Sequence, residues 1–181
     1  MFKRALVVGR FQPLHYGHLY LFRYALSKAE ELVIGIGSSQ FCCQPRNPLS
    51  AGERMELIVV TLRREGFPME RISVTCIPDT ESSEENWGLI VLDKVPRIDI
   101  AFSNDSETIR CLREVGVRVE NVPFFKREIY EATKIRDLIL KGDDSWKQLV
   151  PKSSLNLLVE MGFERRVRSL EDRRAHSDEK S

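Results

Sequence analysis

A run of four apolar residues, Ala5-Leu6-Val7-Val8, stops at Gly9, and beyond Pro13 the apolar spacing changes to Leu19, Phe22, Leu26 and Ala29. The first pattern is that of a buried strand and the second that of a helix, so the order is strand, tight loop, helix. Such a loop aims backbone N–H groups and the positive end of the helix dipole into the crevice above the strand, where a phosphate is held. The connecting decapeptide is Gly9-Arg10-Phe11-Gln12-Pro13-Leu14-His15-Tyr16-Gly17-His18. Gly9 and Gly17 permit close approach of chain and ligand, Pro13 stiffens the loop, and Arg10, His15 and His18 add donors of the kind phosphate oxygens accept.

The histidines have plainer readings. Two of them three apart at a helix start could ligate zinc, but no obvious third ligand or Cys-x-x-Cys pair accompanies them, and His176 lies in a charged stretch. Capping or surface histidines are the other alternative; the flanking glycines, arginine and proline favour the phosphate reading.

A second apolar run, Val33-Ile34-Gly35-Ile36, follows Glu30-Glu31, and strand, helix, strand within about 30 residues is a parallel crossover unit. Further strands are predicted over Ile72 to Pro78, Ile98 to Phe102 and Val117 to Val122, with helices between them. The fold class is therefore α/β: a Rossmann-like doubly wound parallel sheet of about five strands with a C-terminal helical segment. Ser50-Ala51-Gly52-Glu53 is a capping box that opens a helix bearing Met55, Ile58, Val59 and Leu62 on one face. Between the second strand and this box lie Gly37-Ser38-Ser39-Gln40 and a proline-rich loop, expected over the ligand cleft, whose Arg46 alone reads as a solvated charge. Trp146 and Leu149-Val150-Pro151 read as packing elements, and Leu155, Leu158 and Val159 as a final helix ending near Gly162. From Glu164 onward the chain is charged and poor in apolar anchors, which predicts one domain over 1–163 and a mobile tail over 164–181.

The chain's 181 residues are enough for one domain with a sizeable core. With 28 basic and 27 acidic residues it has no general attraction to nucleic acid or membrane, and no run approaches the roughly 20 apolar residues of a membrane span. Met1-Phe2-Lys3-Arg4 enters a strand rather than a signal-peptide apolar region, so a soluble, cytoplasmic protein is expected. Cys42, Cys43, Cys76 and Cys111 have no disulfide-framework spacing; reduced bystanders are the expectation, with a redox role for adjacent Cys42-Cys43 as the alternative.

The decapeptide resembles the signature of nucleotidyltransferases of the adenylyltransferase type, whose H-x-G-H appears as His15-Tyr16-Gly17-His18. Its longer form, G-R-F-Q-P-x-H-x-G-H, is similar to that of the nicotinamide-mononucleotide adenylyltransferases, above all their small archaeal branch. The resemblance implies transfer of AMP from ATP to nicotinamide mononucleotide, giving NAD and pyrophosphate. It implies a catalytic set of Arg10, His15, His18 and Arg136, and contacts to ATP and its phosphates from Gly9, Phe11, Gln12, Gly17, Arg46, Asn104 and Thr133. Gly37, Ser38, Asn86 and Trp87 would hold the mononucleotide, with the indole on the cationic pyridinium; the plain reading of Trp87 is a core anchor. Tyr130 to Arg136 resembles the I-S-x-T-x-x-R that starts a helix over the ATP phosphates, with Glu131 in the serine position. Phe124-Phe125-Lys126-Arg127 resembles a family loop that brings an aromatic and cations towards the cleft. A magnesium ion carried by the substrates, rather than a dedicated metal site, and a homo-oligomer complete the expectation, hexamers being known in the family.

The chemistry needs the attacking phosphate oxygen, the α-phosphorus and the departing pyrophosphate in line, with positioning and charge stabilisation rather than a covalent intermediate. H-x-G-H specifies the transfer and not the acceptor, so flavin mononucleotide, phosphopantetheine or another phosphate ester is the rival. A nucleotide-binding or sensing protein with little turnover is a different class, motivated by Glu131, by the shortened loop before Trp87 and by the absent glycine before Asn104.

Overall fold

A strand covered on both faces must be apolar through its middle, and in β1 (Phe2–Gly9) Ala5, Leu6 and Val7 have no exposure at all. The computed structural model describes residues 1–123 and 130–178. In it β1 is the central strand of a five-stranded parallel sheet with β2 (Ala29–Ile36), β3 (Ile72–Cys76), β4 (Ile100–Phe102) and β5 (Val119–Glu120), in the order β3-β2-β1-β4-β5. β1 runs beside β2 from Phe2 opposite Ala29 to Gly9 opposite Ile36, and beside β4 through Ala5 and Leu6 opposite Ile100 and Ala101. Parallel neighbours need crossovers, supplied here by helices. The helices are α1 (Tyr16–Lys28), α2 (Ala51–Arg64), α3 (Trp87–Lys94), α4 (Ser106–Glu114), α5 (Ala132–Leu140), α6 (Lys152–Glu160) and α7 (Phe163–Asp178).

The described residues form two compact units. The first comprises 1–10, 18–40 and 68–123, and holds the sheet, most of α1, and α3 and α4. Leu6, Val33, Ile77, Val91, Ala101 and Leu112 make its core, against which Trp87 packs. Helices α3 and α4 meet at Gly88, where any Cβ would run into the Cys111 carbonyl oxygen. Ala29, the last member of the apolar series read from the first helix, is instead the first residue of β2, and Leu19, Phe22 and Ala25 form the buried stripe of α1. The last three strands are shorter than their apolar runs, although backbone hydrogen bonds from Ile77 to Ile36 and from Ser39 to Ile77 carry the β2–β3 pairing past Cys76.

The second unit comprises 11–17, 41–67 and 130–178. The capping box of α2 is present in full: the Glu53 N–H donates to Ser50 Oγ at 3.2 Å and the Ser50 N–H to Glu53 Oε2 at 2.9 Å. The helix buries Arg54, Leu57, Ile58, Thr61 and Leu62, a face rotated from the one read through Met55 and Val59. On α6, Leu158 is buried but Val159 is 64% exposed. The charged stretch read as a tail is largely helical: α7 buries Phe163, Val167 and Leu170, an i, i+4, i+7 series whose apolar signal is diluted by charged residues between. Phe163 lies 6.2 Å from Trp146, ring centre to ring centre, and Arg166 closes an ion pair with Glu53 at 2.7 Å.

That pair makes a pH-dependent prediction. Burial alone would push the Glu53 carboxyl up, but hydrogen bonds from Arg166 and Ser50 and the Arg166 charge hold it below its ordinary value of 4.5. A carboxylate with a lowered folded-state pKa contributes stability that is present above about 4.5 and lost as pH falls further. Arg166→Ala is expected to cost about 1 kcal/mol at pH 7. The gap in melting temperature between the variant and its parent should narrow as pH falls from 6 to 3, which thermal unfolding at a series of pH values will check.

Candidate active site

At the C-terminal ends of parallel strands the chain turns away from the sheet and leaves a crevice. In the first unit this crevice is a cavity of about 390 Å³ whose walls include Gly9, Arg10, Gly37, Ser38 and Trp87, five residues that the sequence put forward. The Gly37 N–H donates to the Gly9 carbonyl at 2.9 Å, which carries the β1–β2 pairing one step beyond the strands. Ser38 sits at φ +49°, a left-handed conformation uncommon for a side-chain-bearing residue. Its hydroxyl donates to Asp79 Oδ2 at 2.8 Å. Asp79 is clamped a second time, because its N–H donates to Gln40 Oε1 at 3.0 Å and its carbonyl accepts from Gln40 Nε2 at 3.2 Å.

Trp87 packs as its plain reading expects and also reaches the cavity. It is the first residue of α3, packs partly against the core, and donates Nε1–H to the Pro78 carbonyl at 3.2 Å while also lining the cavity. Asn86 and Asn104 do not line that cavity. Asn86 is the N-cap of α3, with Oδ1 accepting from the Leu89 N–H at 3.4 Å. Asn104 behaves as a piece of strand: its amide donates to the Val122 carbonyl at 2.8 Å and accepts from the Val122 N–H at 3.0 Å. His18 stands one turn before Phe22, its ring stacked at 6.5 Å.

The other half of the decapeptide belongs to the second unit. Phe11 is 1% exposed at φ +52°, so a bulky residue is held in a region normally left to glycine. Gln12 is buried, and its side-chain amide pairs with the backbone of Leu49 in both directions, at 2.8 and 3.0 Å. Arg136 on α5, 9% exposed, donates to the Gln12 carbonyl at 2.7 Å and to Thr133 Oγ1 at 3.4 Å. This accounts for the three-residue spacing of Thr133 and Arg136: both lie in the first turns of one helix. Glu131 is the N-cap of that helix, and its side chain makes no capping hydrogen bond.

His15 is 6% exposed, and burial pushes its imidazole down to about 3. At neutral pH it is uncharged and presents one N–H and one lone pair. Gly17 is small for the same reason: a Cβ there would stand 3.0 Å from the His15 ring and 3.1 Å from Tyr130 Cβ. Arg46 is exposed at the tip of a tight turn closed by mutual hydrogen bonds of Gln44 and Asn47, 3.2 and 2.9 Å. Cys42 and Cys43, expected as reduced bystanders, lie side by side with their sulfurs in contact. Phe124 to Arg127 lie outside the described residues.

Asp79 lines the cavity and Gln40 holds its backbone; the sequence reading assigned neither a role. The signal available for Asp79 was its place just past a buried strand, at the edge where such sheets take ligands. Among the described residues no group of three or more His, Cys, Asp or Glu is placed to hold a metal ion, and no helix is long and apolar enough to cross a membrane.

Comparison with known proteins agrees with this geometry. Residues 6–171 match the cytidylyltransferase-like family. The chain is 36% identical over 166 residues to the nicotinamide-nucleotide adenylyltransferase of Pyrobaculum neutrophilum, covering 92% of this chain and 93% of that protein. It is 37% identical over 167 residues to nicotinamide-nucleotide adenylyltransferase 1 of Sulfolobus acidocaldarius, with 92% and 95% covered. Among solved structures, a bifunctional NMN adenylyltransferase/ADP ribose pyrophosphatase from Francisella tularensis, complexed with AMP and a manganese ion, superposes with a TM-score of 0.73 at 21% identity. That match takes in 95% of this chain and 53% of the bacterial one, so the chain spans about half of its length. With a parallel sheet of order β3-β2-β1-β4-β5, the decapeptide at the end of its central strand, and these relatives, the chain belongs to the cytidylyltransferase-like family and, within it, to the nicotinamide-nucleotide adenylyltransferases.

Proposed function

We propose that the chain transfers AMP from ATP to nicotinamide mononucleotide, releasing pyrophosphate and forming NAD. The observation that carries the reading is the cavity of the first unit: Gly9 and Arg10 of the decapeptide line it together with Ser38 and Trp87, two of the residues expected at the mononucleotide. The 36% identity to a nicotinamide-nucleotide adenylyltransferase supports it.

In the reaction an oxygen of the mononucleotide phosphate attacks the α-phosphorus, and the bond to the bridging oxygen of pyrophosphate breaks on the opposite side. No proton has to be removed from an ionised phosphate, so the chain's task is to align and to stabilise charge. His18 and neutral His15 serve as N–H donors to the α-phosphate and bridging oxygens, while Arg10 and Arg46 offset charge on the phosphates. Arg136 keeps donors for phosphate beyond those given to Gln12 and Thr133, because a guanidinium carries five. Gly9, Phe11, Gln12, Gly17, Asn104 and Thr133 shape the nucleotide side, and Gly37, Ser38, Asn86 and Trp87 the acceptor side. Gln12, Asn86 and Asn104 act mainly through the backbone they hold. A divalent ion, magnesium in this reading, would be carried on substrate oxygens and water and would supply charge neutralisation on the phosphates. The same reading makes the protein a cytoplasmic homo-oligomer that uses neither nucleic acid nor membrane.

Purified protein given ATP, magnesium and, separately, nicotinamide mononucleotide, flavin mononucleotide or phosphopantetheine will form NAD and pyrophosphate with the first; turnover only with another acceptor overturns the reading. His18→Ala is expected to lower kcat by roughly 10²–10³, the scale of a lost oxyanion donor, with an unchanged melting temperature. Gly17→Ala should also lower kcat, by displacing the His15 ring, and a crystal structure of the variant would reveal the shift. Because His15 titrates near 3, His15→Asn should keep the parent's shape of kcat against pH between 5 and 8. A limb that disappears in this variant would place a histidine titration in that window.

A further inference from the structure

We infer that Asp79 makes the acceptor pocket select the amide form of the mononucleotide, nicotinamide mononucleotide, against its carboxylate counterpart, nicotinate mononucleotide. The inference rests on the proposed reaction for the identity of the acceptor class, and on the first unit's cavity for its argument.

Among the described lining residues the charged groups are three carboxylates, Asp79, Asp105 and Glu107, against one guanidinium, Arg10. The three carboxylates are not equivalent. Glu107 is exposed and tied to Arg110, which also pairs with Glu114, so its charge is largely compensated. Asp105 is exposed too, and caps α4 through Oδ2, which accepts both the N–H and the hydroxyl of Thr108 at 2.8 Å. Asp79 is half-buried and, among the described residues, pairs with no cation. Its Oδ2 is held by the Ser38 hydroxyl, and its N–H and carbonyl are held by Gln40, which leaves Oδ1 as an acceptor without a hydrogen bond among the described residues.

The indole of Trp87 is hooked to Pro78, the residue next to Asp79 in the chain. Trp87 and Asp79 line the same cavity, so a pyridinium ring stacked on that indole would share the cavity with the Asp79 carboxylate, within which its 3-substituent would meet an anionic acceptor. A carboxamide offers two N–H donors to such an oxygen; a carboxylate offers none and adds a second negative charge in a partly dehydrated pocket. The ring's positive charge is common to both mononucleotides and favours both, so the discrimination comes from the substituent alone. Like-charge juxtaposition is the usual device by which a site refuses a near-isosteric competitor. Ser38 and Gln40 act as positioning residues for Asp79.

The test is calorimetric titration of the protein with each mononucleotide, alongside kcat/KM for each. The parent should bind nicotinamide mononucleotide at least about tenfold more tightly than nicotinate mononucleotide, the scale of one misplaced charge. Asp79→Asn retains an acceptor for Ser38 and should bring the ratio close to one, chiefly by tightening the nicotinate complex. Ser38→Ala, which unhooks the carboxylate without removing it, should move the ratio the same way by a smaller factor, and stands in should Asp79→Asn fail to fold. Equal affinities in the parent, a ratio unchanged in folded Asp79→Asn, or binding of neither mononucleotide would overturn the inference. Preferential binding of the amide without NAD formation would remove the proposed reaction and leave the selectivity standing.

Discussion

The first unit depends on β1 being paired along both edges. Parallel pairing with β2 brings Gly9 level with Ile36, and pairing with β4 brings Leu6 level with Ala101, so three strands release their chains at one end of the sheet. Whatever follows a strand in the sequence is thereby delivered to the same place: Arg10 after β1, Gly37 and Ser38 after β2, Asp105 after β4. The opposite end is closed differently. There Asp99 accepts from the Lys3 and Arg4 N–H groups at 2.8 and 2.9 Å, and Arg4 pairs with Glu31 across the first two strands. The polar chemistry at that end fastens strands together, while at the other it lines a cavity.

The second unit solves a related problem with side chains in place of strands. A chain segment without regular structure leaves backbone groups unpaired, and burying them is costly. Gln12 supplies a donor and an acceptor to Leu49, in the manner of a neighbouring strand, and Arg136 takes up the Gln12 carbonyl. Such arrangements also hold Phe11 in its left-handed conformation, since a strained residue persists only where its surroundings over-determine it.

Much of this was legible in the residues. The change of apolar spacing around Gly9 to Pro13 located β1 and α1, because periodicity reports directly which face is covered. The Ser50–Glu53 box was readable because capping is local and its partners are three residues apart. What could not be read was non-local. The rotation of the buried face on α2 from Met55 and Val59 to Leu57 and Thr61 depends on what packs there, and Asn104 gave no hint that its amide would be matched to Val122, 18 residues on. The helical character of 163–178 was hidden because three apolar residues spaced for a helix were outvoted by the charged ones around them. For the site, residue types at the strand ends were identifiable, whereas the depth of His15, which sets its charge, required the packing around it.

The two units also differ in how they are laid out along the chain. All five strands are in hand by Glu120, so on the ribosome the sheet can close early. The second unit has its opening piece at 11–17, its capped helix at 51–64 and its closing helix, with Phe163 and Arg166, more than a hundred residues later. During synthesis Glu53 therefore waits for Arg166 and the Gln12 carbonyl for Arg136. That interval is when a nascent chain of this design is most exposed to chaperones and to aggregation, and its length is fixed by the order of the segments rather than by the strength of any contact.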